Sequence, residues 1–134
     1  MDVKIIDAAN TPIGRLASSV AKRLLKGERI VIINADRAII TGNPSFAKKK
    51  YHERRARGNP HHGPFFPTKP ADILRRTIRG MVPYKKASGK IALANLRIYP
   101  GNAGFENAEA ETLQRHIKSR YITLKQLSIE LRGA

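Results

Sequence analysis

The first 33 residues read as strand, helix, strand, and that order confines the chain to a narrow set of folds. Val3-Lys4-Ile5-Ile6 is a short apolar run suited to a strand. Thr11 offers an N-cap hydroxyl, and Pro12 suits the first helical position. Ile13, Leu16, Ala17, Val20, Ala21, Leu24 and Leu25 recur at helical spacing and make one apolar stripe, with Arg15, Lys22, Arg23 and Lys26 off it. Gly27 stops the helix where glycine is favoured. Ile30-Val31-Ile32-Ile33 is a continuous β-branched run, the mark of a strand covered on both faces as in a parallel sheet. A βαβ unit crosses over right-handed, so the expected class is α/β with a parallel sheet.

The rest of the chain adds elements to this start. Ala38-Ile39-Ile40 is a short apolar piece, and Asn43-Pro44 predicts a second helix starting near Pro44. Its apolar contacts are Phe46, Ala47 and Tyr51. Residues 58–70, rich in Pro and Gly, read as an extended loop. A third helix is predicted from Pro70 to about Met81, with Ile73, Leu74, Ile78 and Met81 on one side. A short helix over Ile91–Leu93 and a strand at Leu96–Tyr99 follow, and then a polar linker from Asn102 to Arg120. Tyr121–Thr123 reads as a short strand or lead-in, and Thr123 caps a last helix that turns Leu124, Leu127, Ser128 and Leu131 inward. The core is expected from Ile5, Leu16, Val20, Leu24, Val31, Ile33, Ile78 and Ile98. At 134 residues the chain is expected to be one domain, residues 1–134, with a basic insertion at about 43–90.

That insertion dominates the electrostatics. Asn43 to Lys90 carries 13 Lys and Arg against two acids, Glu53 and Asp72, which places +11 of the total +16 in 48 residues. Like charges repel and destabilise a compact state, so the block calls for a polyanion to neutralise it. There are no cysteines, which removes disulfides, thiol nucleophiles and Cys-zinc sites. No apolar run is long enough to span a bilayer and no leader precedes the first strand, so the chain reads as soluble and intracellular.

The candidate residues for binding RNA or DNA follow from this charge. Lys48, Lys49, Lys50, Arg54, Arg55 and Arg57 lie on one helix, where acids for i,i+4 pairing are nearly absent. Arg75, Arg76 and Arg79 project from the next helix, Lys69 precedes it, and Lys85, Lys86 and Lys90 lie in the loop after it. His61, His62 and Phe65 can stack on unpaired bases, with core packing an equal alternative for Phe65. Arg15 adds charge at the first helix N-terminus. That turn lacks both the spaced glycines of a dinucleotide loop and the Gly-Lys-Ser/Thr of a P-loop, so no cofactor is expected. Adjacent histidines such as His61 and His62 seldom converge on one metal, and no metal site is expected. A different class remains open, a metal-dependent RNA-processing enzyme using Asp7 and Asp36 at neighbouring strand ends. Aspartates in such places more often serve turns. Without RNA, residues 58–68 are expected to be mobile.

Ile78-Arg79-Gly80-Met81-Val82-Pro83, followed by Gly89-Lys90 and Leu96-Arg97-Ile98-Tyr99-Pro100-Gly101, resembles the ribosomal protein L-thirteen family. Ile5-Ile6-Asp7-Ala8, Gly14-Arg15-Leu16-Ala17, Val31-Ile32-Ile33-Asn34-Ala35 and Thr41-Gly42 extend the likeness over the chain in the right order. Gly63-Pro64-Phe65 and Lys69 to Arg79 resemble the archaeal and eukaryotic branch, and the lack of a long C-terminal extension favours the archaeal type. The resemblance implies a three-layer α/β/α fold with a mainly parallel four-stranded sheet in the order 3-2-1-4. It also implies a non-catalytic structural role on large-subunit rRNA from early in assembly, with neighbouring large-subunit proteins as partners and no homo-oligomer. An off-ribosome regulatory RNA-binding role remains the other alternative.

Overall fold

The computed structural model describes residues 3–56, 67–102, 104, 110–112 and 120–133. The chain runs β1 (Val3–Asp7), α1 (Ile13–Leu25), β2 (Arg29–Ile33), a 3-10 turn (Ala35–Arg37), β3 (Ile39–Thr41), α2 (Pro44–Ala56), α3 (Pro70–Arg79), α4 (Ala87–Ala94), β4 (Leu96–Ile98), β5 (Glu111–Thr112), β6 (Tyr121–Thr123) and α5 (Leu124–Gly133). β4, β2, β1 and β5 form one parallel sheet in that order. Counted along the chain these strands are third, second, first and fourth, the order implied by the resemblance. β3 and β6 form a separate antiparallel pair.

Two strands differ from expectation. The fourth strand of the sheet falls at Glu111–Thr112, inside the stretch read as a polar linker. Two residues carry no alternation to detect, and their pairing with Ile6 and Asp7 decides the matter. Tyr121–Thr123 is a strand, but it pairs with β3 and not with the main sheet.

Register explains which residues form the core. Ile6 aligns with Ile32, and Ile30 with Leu96. All four are fully buried, in one cluster with Leu16, Val20 and Leu24 of α1, Ile73, Leu74 and Ile78 of α3, and Leu124, Leu127 and Leu131 of α5. Burying each such side chain contributes about 1.5–3 kcal/mol. Ile5 and Val31, expected in this core, are only half-buried. They align with each other and, by the period of two, face the other way, beside exposed Val3, Arg29 and Arg97. Ile98 is likewise half-buried, packed at the core's margin.

Helix ends follow local chemistry, with one revision. Pro12 is the N-cap of α1 and not its first helical residue, with extended φ −60° and ψ 130°. Thr11 is fully buried, and its hydroxyl donates to the Ala9 carbonyl at 3.1 Å instead of capping. The reason is lateral: the Thr11 carbonyl accepts the Ile39 N–H at 3.0 Å, which holds residues 11–12 extended against β3. At the other end of α1, Gly27 has φ +92°, its N–H reaches the Leu24 carbonyl, and the Glu28 N–H reaches that of Arg23. This is a Schellman closure that an L-residue would strain. Thr123 and Gln126 form a reciprocal capping box at α5, each backbone N–H donating to the other's side chain at 3.2 Å.

The edge strand β5 is clasped from α1. Arg23 donates to Glu111 at 2.8 and 3.2 Å and to Glu28 at 3.1 and 3.3 Å, two bidentate pairs on one guanidinium. The hydrogen bond from Arg23 holds the Glu111 carboxyl below its usual range, partly opposed by desolvation. A depressed carboxylate stabilises fully above its unfolded value, ordinarily 4.5, and loses that contribution as pH falls through its folded value. Arg23→Gln is therefore expected to lower stability by about 1 kcal/mol near neutral pH, a modest figure because the pair is half-exposed. The gap from the parent should narrow at about pH 3. Thermal melts of both proteins at the two pH values check this.

Candidate nucleic-acid interface

α2 starts as its sequence dictates. The Asn43 side-chain oxygen accepts the Ser45 N–H at 2.9 Å, and Pro44 is the first helical residue. Ala47 and Tyr51, one turn apart, are buried toward the core. Phe46, expected to pack with them, is 71% exposed. Lys48 pairs with Glu130 of α5 at 3.4 Å, so the fold brings an acid to the block from outside it. Lys49 and Lys50 are exposed and form no ion pair among the described residues. Arg54 is half-buried with its guanidinium 5.3 Å from the Tyr51 ring centre. Burial pushes the Tyr51 phenol above its usual range, with the Arg54 charge acting against the shift. The side chain of Arg55 and the whole of Arg57, His61, His62 and Phe65 lie outside the described residues, as does most of the 58–68 loop.

The α3–α4 region gathers a second set of cations. Exposed Lys69 is the N-cap residue of α3. Arg76 and Arg79, with Pro67, Asp72 and Arg75, line an open groove of about 240 Å³. The Arg79 guanidinium lies 4.2 Å from the Tyr84 ring centre, and the Lys85 ammonium lies 6.0 Å from the same ring. One aromatic ring thus holds two cations near it and ties the end of α3 to the turn before α4. Lys86 is the N-cap residue of α4, which has no side-chain cap and no acid in its first turn. Lys90, expected in a loop, sits in that helix, and its N–H bonds the Lys86 carbonyl at 3.1 Å. Free N–H groups and exposed lysines at one helix start suit an anion.

Arg75 also ties elements of the fold together. It donates to the Leu96 carbonyl at 3.3 Å and to the Leu93 carbonyl at 3.2 Å, tying α3 to the end of α4 and the start of β4. Arg15 is exposed in the first turn of α1, which again has no side-chain cap and no acid.

The two aspartates stand in different surroundings. Asp7 Oδ1 accepts the Ala9 N–H at 2.9 Å and the Asn34 side-chain N–H at 3.1 Å, which locks the strand-to-helix turn and holds Asn34 at φ +57°. Asp36 has one buried oxygen without a hydrogen-bond partner. Among the described residues no group of three or more His, Cys, Asp or Glu could hold a metal ion. Nor is any helix among them long and apolar enough to cross a membrane.

Comparison with known proteins fits this arrangement of sheet and basic patches. The family model for Ribosomal protein L13 matches residues 2–104. The chain belongs to the ribosomal protein L13 family. Large ribosomal subunit protein uL13 of Methanocaldococcus jannaschii is 46% identical over 131 residues, covering 95% of this chain and 96% of that protein. The proteins of the same name from Methanopyrus kandleri and Thermoplasma volcanium are 45% and 43% identical over 135 residues, covering 95% and 98% of this chain and 85% and 99% of theirs.

Within the L13 match, the Arg79-to-Pro83 segment and Gly89 are one packing unit. Gly89 is buried where α4 crosses the turn, directly against the backbone of Pro83 and Tyr84. Tyr84, the ring that organises Arg79 and Lys85, was invisible as a site residue in the sequence, although its place beside Lys85 and Lys86 was a usable signal. The Lys48–Glu130 pair had none, because its partners meet only through tertiary packing.

Proposed function

We propose that this chain is an archaeal-type structural constituent of the large ribosomal subunit, acting in the cytoplasm on the ribosome. It holds large-subunit rRNA through the Asn43–Lys90 block and touches neighbouring subunit proteins, folding as one unit without cofactor or catalysis. The observation that carries this is near full-length similarity to proteins named large ribosomal subunit protein uL13. Exposed Lys49, Lys50, Lys69, Lys85, Lys86 and Lys90 support it, since a phosphate backbone relieves their mutual repulsion. Arg76, Arg79 and Arg15 join them, as do Arg54, Arg55, Arg57, His61, His62 and Phe65. Arg75 serves the fold through its two carbonyl contacts. Asp7 serves the turn, which leaves the metal-dependent nuclease reading without support.

Sedimentation tests the proposal. The tagged chain is expected to migrate with large subunits at low salt and to be released at high salt, as phosphate contacts require. A chain that stays at the top of a low-salt gradient refutes it.

A further inference from the structure

We propose that Phe46 is a stacking platform for an unpaired RNA base, set between phosphate-binding lysines on the outer face of α2. The inference rests on the RNA-binding reading above and names a residue that reading does not contain.

Among the described residues Phe46 is the most exposed of the large apolar side chains, at 71%. Its helix has an apolar face available, with Ala47 and Tyr51 buried on it, yet Phe46 is turned about 100° away from Ala47 by the helical repeat. Three and four residues on stand Lys49 and Lys50, both exposed, and these spacings put all three side chains on one face. Glu53 stands on that face one further turn along. Phe46 is also in the first turn, beside the partial positive charge of the helix N-terminus. A flat apolar ring flanked by cations matches a nucleotide, whose base stacks while its phosphates meet the charges.

Two other exposed apolar sites lack this combination. Tyr121 and Ile129 line a groove whose Lys48 and Glu130 are already paired, so its rim offers a polyanion little. Ile91 on α4 lies beside Lys90 but is aliphatic and has no ring to stack.

The test compares the full chain with Phe46→Ala, Phe46→Leu and Phe46→Trp on two RNAs of equal length and charge, a hairpin with an unpaired loop and a perfect duplex. Phe46→Ala and Phe46→Leu are expected to weaken hairpin binding about 5- to 150-fold, the range that stacking on one base supplies. Duplex affinity and the salt slope should not change. Phe46→Trp should retain affinity, and because the chain has no other tryptophan, its emission should be quenched when the hairpin binds. Unchanged hairpin affinity in Phe46→Ala overturns the proposal and leaves this face to a protein neighbour. Equal losses on both RNAs, or tryptophan emission indifferent to the hairpin, also overturn it. If the parent chain binds neither RNA, the RNA-binding reading fails with it; if the parent binds and only the Phe46 effects are missing, that reading stands.

Discussion

Gly89→Ala is expected to destabilise the protein by about 3–5 kcal/mol, lowering its melting temperature by on the order of 10 °C. The new methyl carbon would land on the backbone carbonyl of Pro83 and 2.7 Å from the Tyr84 nitrogen. Neither atom can swing away as a side-chain tip could, so α4 must lift off the turn. Lifting it would disturb the Arg75 bonds to Leu93 and Leu96 and the stacking of Arg79 on Tyr84. Gly14→Ala is the internal contrast. Gly14 lies in α1 with nothing within 4 Å of an added carbon, so the same change there should stabilise by up to about 1 kcal/mol. Calorimetric melts of the two variants check both signs, and a Gly89→Ala protein that melts with the parent would show that the close approach of α4 to Pro83 is wrong.

The same residues show what the sequence could and could not disclose. β1, α1 and β2 were legible because apolar periodicity and stop signals agree there, down to Gly27 at its positive φ. Asn43-Pro44 announced α2 and Thr123 announced α5, whereas the answering bond from Gln126 was not read. Which face of a strand is buried was not legible in Ile30-Val31-Ile32-Ile33, because a run without alternation gives no phase; pairing with Ile6 and Leu96 sets it. At the candidate interface, the location of the cations followed from composition, but their engagements did not. Arg75 is one of three arginines on α3, and the position of carbonyls 93 and 96, set by tertiary packing, is what ties it to the fold. Phe46 was assigned inward by residue type, whereas the helical repeat that buries Ala47 and Tyr51 turns it outward.

Replacing Lys49, Lys50, Lys85 and Lys86 together with Glu is expected to lower affinity for structured RNA by roughly 10³-fold or more near physiological salt. The substitutions take the net charge from +16 to +8. All four side chains are exposed and none has an ion pair among the described residues, so the melt should hold or rise as self-repulsion falls. Arg54 and Lys48 are poorer choices for such a reversal, since one lies half-buried on Tyr51 and the other on Glu130, whereas exposed Lys85 stands 6.0 Å from the Tyr84 ring, at the outer limit of such a contact. The salt dependence of the remaining binding should become shallower by roughly three to four phosphate contacts. Net charge alone is controlled by a second variant with Lys4, Lys22, Lys26 and Lys125 replaced by Glu, all exposed and all outside the block. It has the same total charge and should lose much less affinity. Filter binding of both variants over a salt series separates the cases: equal losses mean that a diffuse positive field and not a local anchor holds the RNA, and retained binding in the first variant removes Lys49, Lys50, Lys85 and Lys86 from the interface.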